Sequence, residues 1–302
     1  MWFKNLRPYR MTRAFELSAE QLETALAEKV FRPCSPAQPQ ALGWVPALGE
    51  GSANLVHAAD GRYLLRLRRE EKILPPSVVR DLLKERIEGI EAQQGRQVYR
   101  RERLALKDEI VQDCLPRAFS RHSEIGVIID GRARWVLIDS ASAGRAEDAL
   151  NLLREAIGTF PVIPPATTNS PAVAMSSWLT QSSLPSEFSL REECELTESG
   201  DQPAVLRCRG IDPESEEIRQ HLDGGMEVTR LSLDWKEQLQ FVLGQDLCLR
   251  RLKFADALVK ENDEIAEEDP LARRDADFVI MAPALSALQE RIVALFGGED
   301  YR

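Results

Sequence analysis

The chain has 302 residues, 43% of them hydrophobic, 29% charged and only 6% aromatic. That length and apolar content can bury a real core and hold two or more domains, and the composition excludes a disordered chain. With 39 Lys and Arg against 49 Asp and Glu the formal net charge is −10, so binding to a polyanion requires cations gathered locally within a repelling body.

Met1-Trp2-Phe3-Lys4-Asn5 lacks the apolar core of a signal peptide, and Arg7 and Arg10 follow at once. Residues 3–11 read as a strand, and Ser18-Ala19-Glu20-Gln21 is a capping box opening a helix through about Lys29. Pro33, Pro36 and Pro39 mark a loop. Residues 43–45, 54–59 and 62–69 are strand-like, the last two joined by a tight Asp60-Gly61 turn of hairpin type. Within the third, a period of two sets Arg62, Arg66 and Arg68 on one side and Tyr63, Leu65 and Leu67 on the other.

At Leu74-Pro75-Pro76-Ser77 the pattern turns helical. Val79, Leu83, Ile87 and Ile90 form one stripe, Gly95 interrupts, and a second pattern with Leu104, Val111 and Leu115 in its apolar set ends at Pro116. The segment reads as a helical hairpin inserted between strands, a natural projecting element. Arg96, Arg100, Arg103 and Lys107 recur at helical steps and form one basic stripe.

Strands resume at 125–130 and 132–138. A helix then carries Ala146, Ala149, Leu153 and Ile157, a short strand covers 160–163, and the proline-rich run from Pro164 to Pro171 reads as a linker. Beyond it come a helix at 172–180 and strands at 188–196, 204–209, 227–233, 238–243 and 247–254. Leu285, Leu288, Ile292 and Leu295 mark the last helix, with Gly297 as its stop. No apolar run approaches the roughly 20 residues of a spanning helix. The class is α+β, with antiparallel or mixed sheets and an inserted helical-hairpin arm.

Each constellation has a plain alternative. The strand face Arg62/Arg66/Arg68, followed by Arg69 and Lys72, suits phosphate contact, yet a solvated sheet face alternates in the same way and Glu70 and Glu71 can screen it. The stripe Arg96/Arg100/Arg103/Lys107 suits nucleic acid, or else long side chains covering apolar surface near Ile110 and Cys114. Arg207/Arg209 and Arg251/Lys253 are weaker same-face pairs. Phe119, flanked by Arg117 and Arg121, is either an exposed anchor for a partner or a plug in the protein's own core.

The acidic sets Glu192/Glu193/Glu195 and Asp263/Glu264/Glu267/Glu268/Asp269 invite a metal-nuclease reading. No Lys or His is spaced to act with the first, and the second is a charge run of solvated-helix type. Asp201, Asp212 and Asp223 read as turn chemistry. Cys34, Cys114, Cys194, Cys208 and Cys248 are scattered and fit buried thiols in a reducing compartment. With His57, His122 and His221 outside ligand spacing, no metal or cofactor is expected.

Several strings occur in order across nearly the whole chain: Trp2-Phe3-Lys4-Asn5-Leu6, Gly43-Trp44-Val45-Pro46, Glu70-Glu71-Lys72-Ile73-Leu74-Pro75, Leu106-Lys107-Asp108-Glu109, the Leu115 to Arg121 run, Leu233-Asp234-Trp235 and Asp275-Ala276-Asp277-Phe278. Together they resemble the recombination-associated RdgC family of bacteria. The resemblance implies a cytoplasmic, nucleoid-associated protein that binds double-stranded DNA, with single strands as a second option, and reads little sequence. It also implies a crescent-shaped subunit closing into a ring-shaped homodimer through two two-fold contacts, antagonism of the recombinase RecA, and no enzymatic activity, cofactor or membrane contact. Laid on this chain, residues 1–73 plus 122–163 would be a central domain, 74–121 a helical tip and 164–302 a base. Phe119, with Arg117, would anchor the tip contact. The basic strand face and stripe become candidates for the channel lining. The rival readings are an adaptor acting on the recombinase directly and a metal-dependent nuclease.

Overall fold

The computed structural model describes residues 2–200, 202–260 and 269–301. Asp201 and the acidic residues Asp263, Glu264, Glu267 and Glu268 singled out above lie outside the described residues. In chain order the first elements are β1 (Arg7–Met11), α1 (Ala19–Ala27), β2 (Gln40–Val45), β3 (Val56–Ala59), β4 (Arg62–Ile73), α2 (Pro76–Gln94), α3 (Arg100–Cys114), β5 (Phe119–Asp130) and β6 (Trp135–Ile138). They are followed by α4 (Ala143–Ile157), β7 (Val162–Ile163), α5 (Pro171–Gln181), β8 (Phe188–Thr197), β9 (Val205–Arg209) and α6 (Glu216–Asp223). The last are β10 (Glu227–Trp235), β11 (Leu239–Gly244), β12 (Leu249–Phe254), α7 (Asp256–Lys260) and α8 (Pro270–Leu295). The chain is α+β and forms two compact units, one of Met1–Glu28, Pro46–Arg66 and Ile125–Arg302, the other of Lys29–Val45 and Leu67–Glu124.

The first unit holds two antiparallel sheets. In one, β3 pairs with β4 and the order continues β4-β5-β6-β1-β7, with Val56 opposite Leu65, Val127 opposite Ile138 and Arg10 opposite Ile163. The other runs β12-β11-β10-β8-β9. Asp60 and Gly61 both take positive φ, 48° and 74°, the backbone that a two-residue hairpin between β3 and β4 demands. Ser18 caps α1 as its spacing predicts: its hydroxyl accepts from the Gln21 N–H at 3.2 Å, and the Gln21 carbonyl oxygen accepts from the Ser18 N–H at 2.9 Å. The strand expected over 3–11 begins only at Arg7, because upstream the N–H groups of Lys4 and Asn5 donate to the Asp139 carboxylate. Leu6 instead exchanges both backbone hydrogen bonds with Leu249, the first residue of β12 in the second sheet.

Helix α8 corrects the expectation that no apolar run reaches spanning length. Its 26 residues are long and apolar enough to cross a bilayer by length and composition. Polar Asp277, Ser286 and Gln289 interrupt the run in sequence, yet all three are buried with their apolar neighbours. Phe278, Met281, Leu285, Leu288 and Ile292 are almost wholly buried and belong to one core cluster with Leu231, Leu233 and Phe241 of the second sheet. Each such side chain contributes about 1.5–3 kcal/mol. α6 escaped the sequence reading because it is short: its eight residues carry one apolar pair, Ile218 buried and Leu222 half-buried one turn later against the core.

The second unit comprises β2, the end of β4, α2, α3 and the start of β5. α2 and α3 pack on each other along a groove lined by Leu82, Ile90 and Ile110. Val79, Ile110 and Leu115 are buried, whereas Leu104, read as apolar-facing, is 55% exposed. Pro76 opens α2 at its first turn and Gly95, with φ 62°, closes it.

One buried carboxylate anchors each unit. In the first, Asp130 has no exposed surface and accepts from Arg62 Nε at 2.8 Å, the Ser286 hydroxyl at 2.7 Å and the N–H groups of Arg132 and Ala133. Burial pushes its pKa up, but these donors outweigh it and hold the carboxyl below its usual range. In the second, the Ser120 hydroxyl and the Cys34 N–H hold buried Glu70 below the usual carboxylate range against the pull of burial. Asp130→Ala removes at once the buried partner of Arg62 Nε, of the Ser286 hydroxyl and of two backbone N–H groups, and is expected to cost about 3–5 kcal/mol by urea denaturation. A depressed folded pKa gives stability that is complete above the ordinary carboxylate range and lost as pH falls through it. Glu70→Gln is therefore expected to make the fall in Tm between about pH 5 and 3 shallower than in the parent.

Candidate nucleic-acid interface

The alternation read in β4 is present, and each of its arginines has a partner inside the protein. Arg62 spans Asp130 and Asp60, the latter at 3.1 Å. Arg66 donates from Nε and Nη2 to the Pro46 carbonyl at 3.3 and 3.2 Å. In the second unit Arg68 donates to Glu124 at 3.0 and 2.6 Å and lies over the Phe31 ring. Arg69 pairs with Glu71, which also takes Arg121 at 2.7 Å. These guanidinia cross-link strands, and the side chains of Arg62, Arg68 and Arg69 are only 15–36% exposed.

The helical stripe is shorter than its spacing predicts. α3 begins at Arg100 with Tyr99 as its cap, so Arg96 precedes the helix and is not part of the stripe. Gly95 ends α2 and the chain must turn there. Arg96 reaches forward to grip both oxygens of Glu102 at 2.7 Å, which holds that carboxyl below its usual range. Arg103 donates to the Val98 carbonyl at 3.2 Å. Arg100, Arg101 and Lys107 are exposed and make no ion pair among the described residues.

Phe119 is 85% exposed, which settles the choice between a core plug and a surface residue. Arg117, two residues before it, is also exposed and without an ion pair among the described residues. Sequence reading missed Tyr99, 73% exposed beside Arg100 and Arg101. The signal was an aromatic abutting paired arginines, the same composition that marks Phe119, and such a side chain offers a stacking face beside cations.

Charge is divided between the units. The second holds 15 Lys and Arg against 11 Asp and Glu, while the first holds 24 against 38. The acidic character of the chain therefore belongs wholly to the first unit.

The acidic pair on β8 is not open. Glu193 receives Arg251 and Arg209, and Glu195 receives Arg207 at 2.7 Å and Arg230 at 3.3 Å. The arginines hold Glu193 below the usual carboxylate range. No group of three or more His, Cys, Asp or Glu among the described residues could hold a metal ion. Cys194 and Cys208, distant in sequence, stand directly opposite each other on β8 and β9, and burial with the neighbouring thiol pushes Cys194 up to about 12.

A family model described as "Putative exonuclease, RdgC" matches residues 1–299. The recombination-associated protein RdgC of Aeromonas hydrophila is 44% identical over 300 residues, 99% of each chain. Those of Tolumonas auensis and Salmonella paratyphi B are 41% and 40% identical, over 99% and 100% of each chain. End-to-end matches of this kind, spanning both units and all of the strings noted in the sequence, leave one conclusion: the chain belongs to the RdgC family of recombination-associated proteins.

Proposed function

We propose that this protein binds DNA without reading its sequence, as a ring-shaped homodimer that encircles the duplex and limits access of the recombinase RecA, in the cytoplasm and on the nucleoid. The observation that carries this reading is the charge division: a unit with a surplus of four cations within a chain of net charge −10. A positive segment in an acidic body attracts a polyanion locally while the remainder repels it, which favours threading over wrapping. Arg100, Arg101 and Lys107 offer phosphate contacts that cost no internal ion pair among the described residues, and phosphate contacts position a duplex without reading its bases. The α2–α3 hairpin serves as the projecting arm. Phe119, with Arg117 beside it, is the apolar anchor through which two arms meet.

The protein acts on this reading without enzymatic chemistry. The family description names an exonuclease, but the acidic pair best placed for a metal, Glu193 and Glu195, is engaged by four arginines. End-labelled linear duplex incubated with the protein and Mg²⁺ or Mn²⁺ should stay full length on a denaturing gel. Shortening that Glu193→Gln abolishes would replace this reading with a nuclease.

Random-sequence duplex should bind with an affinity that falls steeply with salt, and complexes on closed circles should outlast those on free-ended DNA of equal length. Arg100→Gln with Arg101→Gln and Lys107→Gln should weaken binding to all sequences alike and flatten the salt slope by roughly two to three, at about 0.9 per phosphate contact. No binding at low salt would leave an adaptor that meets the recombinase directly. Phe119→Ala should weaken self-association by about 2 kcal/mol, or some thirtyfold in the dimer constant by sedimentation, without lowering Tm. An unchanged constant would remove Phe119 from the interface.

A further inference from the structure

The outer face of the second sheet gathers arginines that the proposed function leaves unused. Strand register brings them together: Arg207 and Arg209 of β9 stand opposite Glu195 and Glu193 of β8, Arg230 of β10 also faces Glu195, and Val242 of β11 faces Arg250 of β12. Their alternating neighbours Cys194, Cys208, Leu231, Leu243 and Leu249 are buried in the core, so these polar side chains share the open face. The five arginines Arg207, Arg209, Arg230, Arg250 and Arg251 line a concavity of about 290 Å³, with Glu193 and Glu195 the acidic residues of its lining. Asp246, beneath Arg250, is shared with Arg7, so counting both leaves the same surplus of three cations. An ordinary solvated face of this unit would carry more acid than base, because the unit holds 24 Lys and Arg against 38 Asp and Glu.

Two backbone features shape this face, although the first also lets Arg251 and Leu252 donate their N–H groups to Asn5 and Lys4 of the N-terminal segment. The register between β11 and β12 shifts between Gln240 and Val242, and Arg251 there takes φ 54°, a left-handed conformation that costs a non-glycine residue about 1–3 kcal/mol. A bulge of this kind re-aims side chains, and it turns consecutive residues, Arg250 and Arg251, toward one concavity. Across the strand, a Cβ on Gly244 would lie 2.2 Å from Arg250 Nη1 and 2.4 Å from Asp246 Oδ1, so only glycine lets that guanidinium lie over β11. Arg207 and Arg209 meet their carboxylates through Nε alone, at 2.7 and 3.4 Å. Their terminal nitrogens make no hydrogen bond among the described residues, and the side chains are 71% and 75% exposed. Such forks match the oxygens of a phosphate two at a time.

We propose that this concavity is a phosphate-binding site, in which Glu193 and Glu195 hold the arginine forks in place and yield them to an incoming phosphate. The phosphate comes either from a DNA backbone, a form that rests on the function proposed above, or from a free phosphate species. The test uses the full chain, a 30-base-pair random duplex across a salt series, and sodium pyrophosphate by thermal shift. Arg207→Gln with Arg209→Gln and Arg251→Gln should flatten the duplex salt slope by roughly two to three. Glu193→Gln with Glu195→Gln should act in the opposite sense and tighten duplex binding several-fold, which a purely structural ion-pair network would not do. This second variant keeps the question open to test if the first fails to fold. If the parent ignores duplex but pyrophosphate raises its Tm and not that of the arginine variant, the site stands and the DNA reading falls. If the arginine variant keeps the parent's duplex slope and pyrophosphate shifts neither protein, there is no phosphate site here.

Discussion

The buried carboxylate of Asp130 is the constraint on which most of the architecture rests. It joins three elements that are far apart in sequence: Arg62 at the start of β4, the turn after β5, and Ser286 in the middle of α8. A charge with no exposed surface is tolerable only when its donors are all in place, so the network is formed completely or it destabilises the fold. The same contact fixes the register of β4 against β5 at Arg62 and Asp130. A slip of one residue would turn Leu65 and Leu67, both fully buried, to the opposite face.

Much of the fold was legible because its strands alternate cleanly and its helix ends carry conventional signals. Ser18 and Gln21, Asp60-Gly61, Gly95 and Gly297 are local devices whose meaning does not depend on distant residues. What stayed hidden required tertiary partners. The face of Arg62, Arg66 and Arg68 was visible, but Asp130, Pro46 and Glu124 lie 20 to 68 residues away, and only strand register brings them near. Arg96 sits at a helical step from Arg100, yet α2 has ended at Gly95 and α3 begins only at Arg100, so the two share no helical stripe. Only the last turns of α8 were read, from Leu285, Leu288, Ile292 and Leu295, and the buried partner of Ser286 on β5 is a tertiary contact that no sequence pattern reveals.

The candidate site divides along the same line. Exposure of Phe119 was one of two readings of an aromatic between arginines, and burial alone decides it. The weak same-face pair Arg207/Arg209 acquired its meaning from three other strands. Arg230 comes from β10 and the consecutive pair Arg250 and Arg251 from β12, where a bulge that no alternation rule anticipates turns both toward one concavity.

The two basic surfaces differ in how they would hold an anion. On α3, Arg100, Arg101 and Lys107 are exposed and make no ion pair among the described residues, so a phosphate gains their full attraction but must order long side chains, at about 0.5–1.5 kcal/mol for each one immobilised. On the second sheet the guanidinia are already oriented by Glu193 and Glu195, so little ordering remains, but each phosphate contact competes with a carboxylate. The first arrangement gives attraction that reaches outward and is easily screened by salt. The second gives short-range contact with a defined geometry and a weak net gain, because one anion replaces another. A protein that must hold a polyanion without fixing its position needs both: reach to bring it in, and exchangeable contacts that let it slide.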